Sequence, residues 1–302
     1  MAKTDLSGIF PPLPASFDGE ENLYPEKIRS NIQSLARYEL SGILVLGSNG
    51  EQVMLSEAEK REAVAAAREA MPPGKLLLAG TGGQSTRETI RLTRDAASAG
   101  ADAVLVICPS YYRGQMTEQA LVKHYHAVAE TSPVPVVVYN MPANTGIDMT
   151  AQAIIQMAGH PNIIGMKESG GNVVKMGEVL NATAGDFQVL AGGAGFLLPA
   201  LATGAVGGIL ALANIAPALC LEIYKSFLAG DIEHARSLQH AAIALNTAVT
   251  SRWGVPALKA AMDHLGLYGG PVRRPLLPVS EEVRKDIVEM VNDKRVIAFK
   301  NI

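Results

Sequence analysis

The chain has 302 residues, 48% of them hydrophobic and 18% charged, with 29 glycines spread along it and a formal net charge of −3. That is the composition of a globular protein, and a slightly acidic balance without a long basic run carries no nucleic-acid footprint. No uninterrupted apolar run of about 18 residues occurs, which excludes a transmembrane helix.

The N-terminal Met1–Ala2–Lys3–Thr4–Asp5 leads directly into a first strand-like segment, 8–17, with no signal-peptide core before it. A second, 42–47, runs into Gly47–Ser48–Asn49–Gly50–Glu51. Ser56 with Glu59 has capping-box spacing and opens a helix. The third strand, 76–80, is followed by Ser85 with Glu88, which repeats the device, and Gly100 closes that helix. The fourth, 103–108, ends at Ser110–Tyr111–Tyr112, and Thr117 opens a helix reaching Glu130. The fifth, 135–140, carries Tyr139; the sixth, 163–167, carries Lys167. The seventh, 187–191, precedes Gly192–Gly193–Ala194–Gly195, Gly204 closes the next helix, and 206–211 is the eighth strand. From about Glu233 the pattern is helical only, over 234–250, 255–265 and 281–292.

These strands are rich in Val, Ile and Leu on both faces, as parallel strands covered on both sides should be. Eight βα units without a change of composition predict a closed (β/α)₈ TIM barrel over 1–230, with a helical extension over 231–302 packed on it. A doubly wound sheet is disfavoured, because Phe10–Pro11–Pro12–Leu13–Pro14 stands where a glycine fingerprint should follow the first strand. Cys108 and Cys220 lie in apolar segments of opposite type and imply no disulfide framework. A cytoplasmic location is expected.

In such a barrel the functional groups sit at the C-terminal strand ends. That filter selects Ser48, Asn49, Tyr111, Tyr112, Tyr139, Lys167 and the 192–195 loop. A lysine inside the apolar run Ile163–Ile164–Gly165–Met166–Lys167 either finds an acid, snorkels to water, or loses its proton readily and becomes a nucleophile toward carbonyls. Tyr139 lies one βα unit earlier and should stand beside it, where a phenol suits proton transfer at an imine-forming amine. The Ser48–Asn49 turn offers a hydroxyl, a carboxamide and exposed amides to a carboxylate, though a plain polar turn has the same residues. The 192–195 loop lacks a basic residue and reads as close packing. His124 and His126 face different ways on one helix, and the other histidines fall outside the strand ends, so no metal or organic cofactor is expected. Glu51 and Glu168 read as partners of backbone amides, and Trp253 as packing.

In order and spacing these residues resemble the family of dihydrodipicolinate synthase and N-acetylneuraminate lyase, over essentially the whole chain. The resemblance runs through Gly47–Ser48–Asn49–Gly50–Glu51, Tyr139–Asn140–Met141–Pro142, Gly165–Met166–Lys167–Glu168–Ser169 and Gly204–Ala205–Val206–Gly207–Gly208–Ile209. It implies a pyruvate-handling class I aldolase in which Lys167 forms the Schiff base and Tyr139 transfers protons. Ser48 would relay protons and hold the carboxylate, with Asn49, Asn144, Ser169, Gly192 and Ile209 also around the substrate. Tyr111 would complete the relay from a neighbouring subunit, which implies a homotetramer built from tight dimers. The synthases carry an arginine five residues after the strand-5 tyrosine; here Asn144 stands there and cannot grip a carboxylate as a guanidinium does. The stretches around Asn144, Tyr111 and Lys167 look instead like 4-hydroxy-2-oxoglutarate aldolases. Synthase activity with aspartate semialdehyde, cleavage of 2-keto-3-deoxy sugar acids, a metal-dependent lyase and a non-catalytic keto-acid-binding barrel are the competing readings.

Overall fold

The computed structural model describes residues 4–183 and 185–293; Met1–Ala2–Lys3 and the end of the extension, 294–302, lie outside the described residues. The expected strands form as β1 (Gly8–Phe10), β2 (Gly42–Val45), β3 (Leu76–Gly80), β4 (Ala103–Ile107), β5 (Val136–Asn140), β6 (Ile163–Glu168), β7 (Gln188–Ala191) and β8 (Gly207–Ile209). Each pairs in parallel with its sequence neighbour from β2 to β8, and β8 pairs with β1. Between β1 and β2 the ring is joined by Ser41 N–H to the Ile9 carbonyl (3.0 Å), Leu44 N–H to Pro11 (3.0 Å) and Leu13 N–H to Leu44 (2.8 Å). The (β/α)₈ barrel is therefore observed.

The first strand is much shorter than 8–17. Pro11, Pro12 and Pro14 have no N–H to give a ladder, so regular pairing stops at Phe10. Side chains divide the core in two. Phe10, Leu44, Leu78, Leu105, Val137, Tyr139, Leu190 and Ile209 fill the barrel interior, while the outward side chains and the helices form a second, larger layer.

β6 breaks the simple alternation. Val136 pairs with Ile163 but Val137 pairs with Gly165, so Ile164 is an extra, bulged residue. Ile164 points inward and Met166 outward, and Lys167 follows in register with inward Tyr139. Without the bulge, the parity set by Ile164 would turn Lys167 out of the barrel. Gly165 sits where a Cβ would lie 2.2 Å from the Gln188 carbonyl oxygen, so the strand closes on β7 only with glycine there.

Ser56 and Glu59 form the expected capping box. Ser85 caps Thr86–Ser98 through Glu88 N–H, but the Glu88 carboxylate accepts from Gln84 N–H instead of returning to the cap. The extension has helices Ile232–Thr247, Gly254–His264 and Glu281–Val291. The expected 234–250 helix ends at Thr247 and passes into a π turn, Ala248–Arg252. Gln239 accepts from Leu198 N–H (2.8 Å) and donates to the Ala194 carbonyl (2.8 Å), and Asn246 accepts from Ala194 N–H (3.2 Å). These three bonds fasten the extension to the segment that follows β7. Cys108 and Cys220 are buried and unbridged.

Candidate active site

β5 and β6 set four side chains in two opposed pairs. Tyr139 is level with Lys167 on the inner face, and Asn140 with Glu168 on the outer face. The outer pair is held rigidly. Asn140 donates to Glu168 (2.8 Å) and Asp148 (2.8 Å) and accepts from Met149 N–H (3.0 Å). Glu168 accepts from Gly170 N–H (2.5 Å), and its other oxygen lies 3.3 Å from the Lys175 ammonium, which also binds Asp148. Burying Glu168 completely is tolerated because that cation and those donors replace its hydration.

With the outer face fixed, the inner face is preset. Lys167 is 3% exposed, and among the described residues no carboxylate pairs with it. Its Nζ lies 4.3 Å from the centre of the Tyr139 ring. The Tyr139 hydroxyl is 3.3 Å from Ser48 Oγ. Burial alone would raise the Tyr139 phenol, but the Lys167 charge and the Ser48, Lys167 and Ser169 contacts outweigh it and leave the phenol below its ordinary value. Ser169 Oγ approaches the phenol, is buried, and closes no hydrogen bond of standard length among the described residues. A cleft of about 530 Å³ opens over this group, with Ser48, Asn49, Asn144, Ser169 and Thr250 in its wall. Among the described residues, Lys167 is the one charged residue in that wall. A lone buried amine, a lowered phenol and a row of neutral donors suit imine chemistry on an anionic keto acid.

The match to known proteins agrees with this geometry: the model of the dihydrodipicolinate synthetase family fits residues 5–294. The chain belongs to that family. It is 37% identical over 283 residues to a probable mitochondrial 4-hydroxy-2-oxoglutarate aldolase of Emericella nidulans, covering 92% of this chain and 91% of that one. It is 34% identical over 290 residues to a 4-hydroxy-tetrahydrodipicolinate synthase of Methanothrix thermoacetophila, covering 95% and 97%. The crystal structure of a dihydrodipicolinate synthase from Bacillus anthracis superposes with a TM-score of 0.92 at 28% identity, covering 96% and 98%. Like these relatives, the chain is an enzyme of the aldolase and synthase type.

Most of the residues selected from the family resemblance converge. Ser48, Asn49, Tyr139, Asn144, Lys167, Ser169 and Gly192 all border the one cleft. Ile209 does not line it; it packs in the barrel interior with Tyr139. Tyr111 stands away from its own chain's cleft, 81% exposed, its ring edge-on to Tyr112 at 5.1 Å. Glu51 and Glu168 do accept backbone N–H groups, as expected, but each also meets a buried lysine. His124 is spent on Thr86 inside the helical layer, its imidazole pushed down to about 4 by burial, and His126 meets the Gln156 carbonyl at the surface. Among the described residues no group of three or more His, Cys, Asp and Glu side chains is placed to hold a metal.

Sequence reasoning missed Asn246, Thr250 and Ser251, which bring the extension into the cleft wall. The signal was faint: a π turn has no composition of its own, and a surface-like Thr–Ser pair looks ordinary.

The 192–195 loop is close packing, as its composition indicated. A Cβ on Gly192 would lie 1.9 Å from Ser169 Oγ and 2.6 Å from the Glu168 carbonyl oxygen. Gly192→Ala is expected to displace Ser169 and β6, lowering kcat/KM by at least about tenfold with a folded circular-dichroism spectrum. An unchanged kcat/KM would show that Ser169 is not held by this contact.

Proposed function

We propose that the chain is a class I aldolase that cleaves a 4-hydroxy-2-oxo acid through a Schiff base on Lys167, with 4-hydroxy-2-oxoglutarate as substrate and pyruvate and glyoxylate as products. The observation that carries this reading is the Lys167 ammonium, without a carboxylate partner among the described residues, beside the lowered phenol of Tyr139 in a cleft whose other described lining residues are neutral.

Lys167, as the free amine, attacks the C2 ketone. Tyr139 protonates the departing hydroxyl of the carbinolamine, water leaves, and a protonated imine remains. Removal of the C4 hydroxyl proton by Tyr139, with Ser48 behind it, lets the C3–C4 electron pair flow into the imine as glyoxylate departs. The enamine then takes a proton at C3, and water hydrolyses the imine to pyruvate and free Lys167. Ser48 and Asn49 hold the pyruvate carboxylate, and Asn144 and Ser169 face the aldehyde half. Tyr111 of the partner subunit completes the proton relay in a tight dimer, paired into a tetramer. Its exposure together with that of Val53 (78%) and Tyr112 (71%) supports a surface of this kind.

Asn144 argues against aspartate semialdehyde. It stands at the cleft rim in the short helix Pro142–Thr145 and can offer no bidentate charged contact. A second reading has its own observation: Thr250 and Ser251 extend the neutral hydroxyl lining, which suits a 2-keto-3-deoxy sugar acid. Initial rates with 4-hydroxy-2-oxoglutarate, 3-deoxy-2-keto sugar acids, and pyruvate plus aspartate semialdehyde decide the matter. Fastest pyruvate release from 4-hydroxy-2-oxoglutarate is the expected result; fast condensation with aspartate semialdehyde would overturn the weight placed on Asn144.

A further inference from the structure

The loop that carries Ser48 is gripped from the far end of the chain. Ser48–Gly50 is a single 3₁₀ turn, closed by Gly50 N–H to the Gly47 carbonyl (3.0 Å) and Glu51 N–H to the Ser48 carbonyl (3.2 Å). Glu51 then takes a left-handed conformation, φ 46° and ψ 32°, which a non-glycine residue keeps only where its surroundings hold it. The hold comes from the extension. Glu51 Oε1 is 2.6 Å from the Lys259 ammonium, both side chains being 1% exposed, and Glu51 Oε2 accepts from Arg273 N–H at 2.9 Å.

The two cations are themselves fixed. Lys259 donates to the Pro271 carbonyl (2.7 Å) and lies 4.7 Å from the Phe17 ring centre; the Arg273 guanidinium lies 4.2 Å from the same ring. Arg273 also binds both oxygens of Glu59 (2.6 and 3.1 Å) and the Met54 carbonyl (2.9 Å), so the segment after Glu51 is clamped too. None of these groups reaches the cleft, and the chemistry described above uses none of them.

We infer that Lys259 is a positioning residue: through its buried ion pair with Glu51 it sets the turn that places Ser48 against Tyr139. This rests on the aldolase reading of Lys167 and Tyr139. A Ser48–Tyr139 separation of 3.3 Å leaves little room for drift, and a catalytic contact displaced by about 1 Å costs roughly 10²-fold in rate. The extension then meets the site at two places, lining the cleft at Thr250 and, through Lys259, setting Ser48.

A double-mutant comparison separates positioning from mere stability. The readout is exchange of the C3 hydrogens of pyruvate for deuterium in D₂O, followed by proton NMR, which needs the imine and enamine but no aldehyde. Lys259→Met, folded by circular dichroism, is expected to slow exchange by roughly 10²-fold. Ser48→Ala is expected to slow it comparably, and the double variant no further than Ser48→Ala alone, because both act through one contact. Exchange by folded Lys259→Met at the wild-type rate, or losses that multiply in the double variant, would overturn the inference. Should Lys259→Met not fold, Glu51→Gln serves: it keeps an oxygen for Arg273 N–H, removes only the charge, and carries the same non-additive expectation with Ser48→Ala. A wild-type enzyme that exchanges no deuterium removes the reading of Lys167 first, and this inference with it.

Discussion

Lys167→Ala is expected to lower turnover by on the order of 10⁴-fold or more, and to abolish the mass increment that pyruvate and borohydride leave on the wild-type protein. The size of the effect follows from the site. Lys167 is the one charged residue among the described residues of the cleft wall, so no other amine of that wall can take its place. Peptide mapping should put the reduced adduct on Lys167 alone. Its companion Lys167→Met keeps the volume but not the amine, and is expected to melt no lower than the wild type. An ammonium 3% exposed and without a carboxylate partner among the described residues is held against its hydration, so replacing it relieves a cost. Adduct-free wild-type protein, or full turnover by Lys167→Ala, would remove the Schiff-base mechanism.

The same strand shows how far the sequence could be read. The barrel was legible because β-branched runs and capped helices alternate eight times, and few other architectures satisfy that pattern. Tyr139 and Lys167 could be set side by side because each βα unit advances the chain by one strand. What the sequence did not display is the bulge at Ile164 that turns Lys167 inward; strict alternation from Ile164 would have pointed it at the helices. Nor could spacing reveal that Asn140, Glu168, Lys175 and Asp148 lock the outer face. Those contacts join three elements, and single-sequence patterns report only one element at a time. The β1 boundary differs from its apolar pattern for another reason. Apolar content outweighed the three prolines between Phe10 and Ala15, although each proline removes a ladder donor. Lys259 looked like any polar residue on an amphipathic helix, and only the folded chain brings it to Glu51.

Tyr139→Phe is expected to cut turnover by roughly 10²- to 10⁴-fold while Lys167 remains trappable by borohydride with pyruvate at long incubation, because the phenol moves protons and the amine makes the bond. The pH dependence gives the sharper test. The phenol lies below its ordinary value of 10.0 because the Lys167 charge and the Ser48, Lys167 and Ser169 contacts outweigh burial. Where removal of the C4 hydroxyl proton by the phenolate limits turnover, kcat rises with pH through that lowered value, until the carbinolamine step, which needs the phenol protonated, becomes limiting. Ser48→Ala removes one of the lowering contacts, so the folded value moves up and the rising limb shifts to higher pH. Its rate then falls most on the acid side of the shifted limb and recovers toward the wild type above it; Tyr139→Phe has no such limb. Stability carries its own pH dependence. A folded value below the unfolded one adds stability that is fully present only above the unfolded value, and is lost as pH falls through the folded value. Melting Tyr139→Phe and the wild type at each pH measures that linkage directly, and the rate loss beyond it reports the proton transfer. A Ser48→Ala limb that stays where the wild type has it would show that the 3.3 Å contact does not tune the phenol.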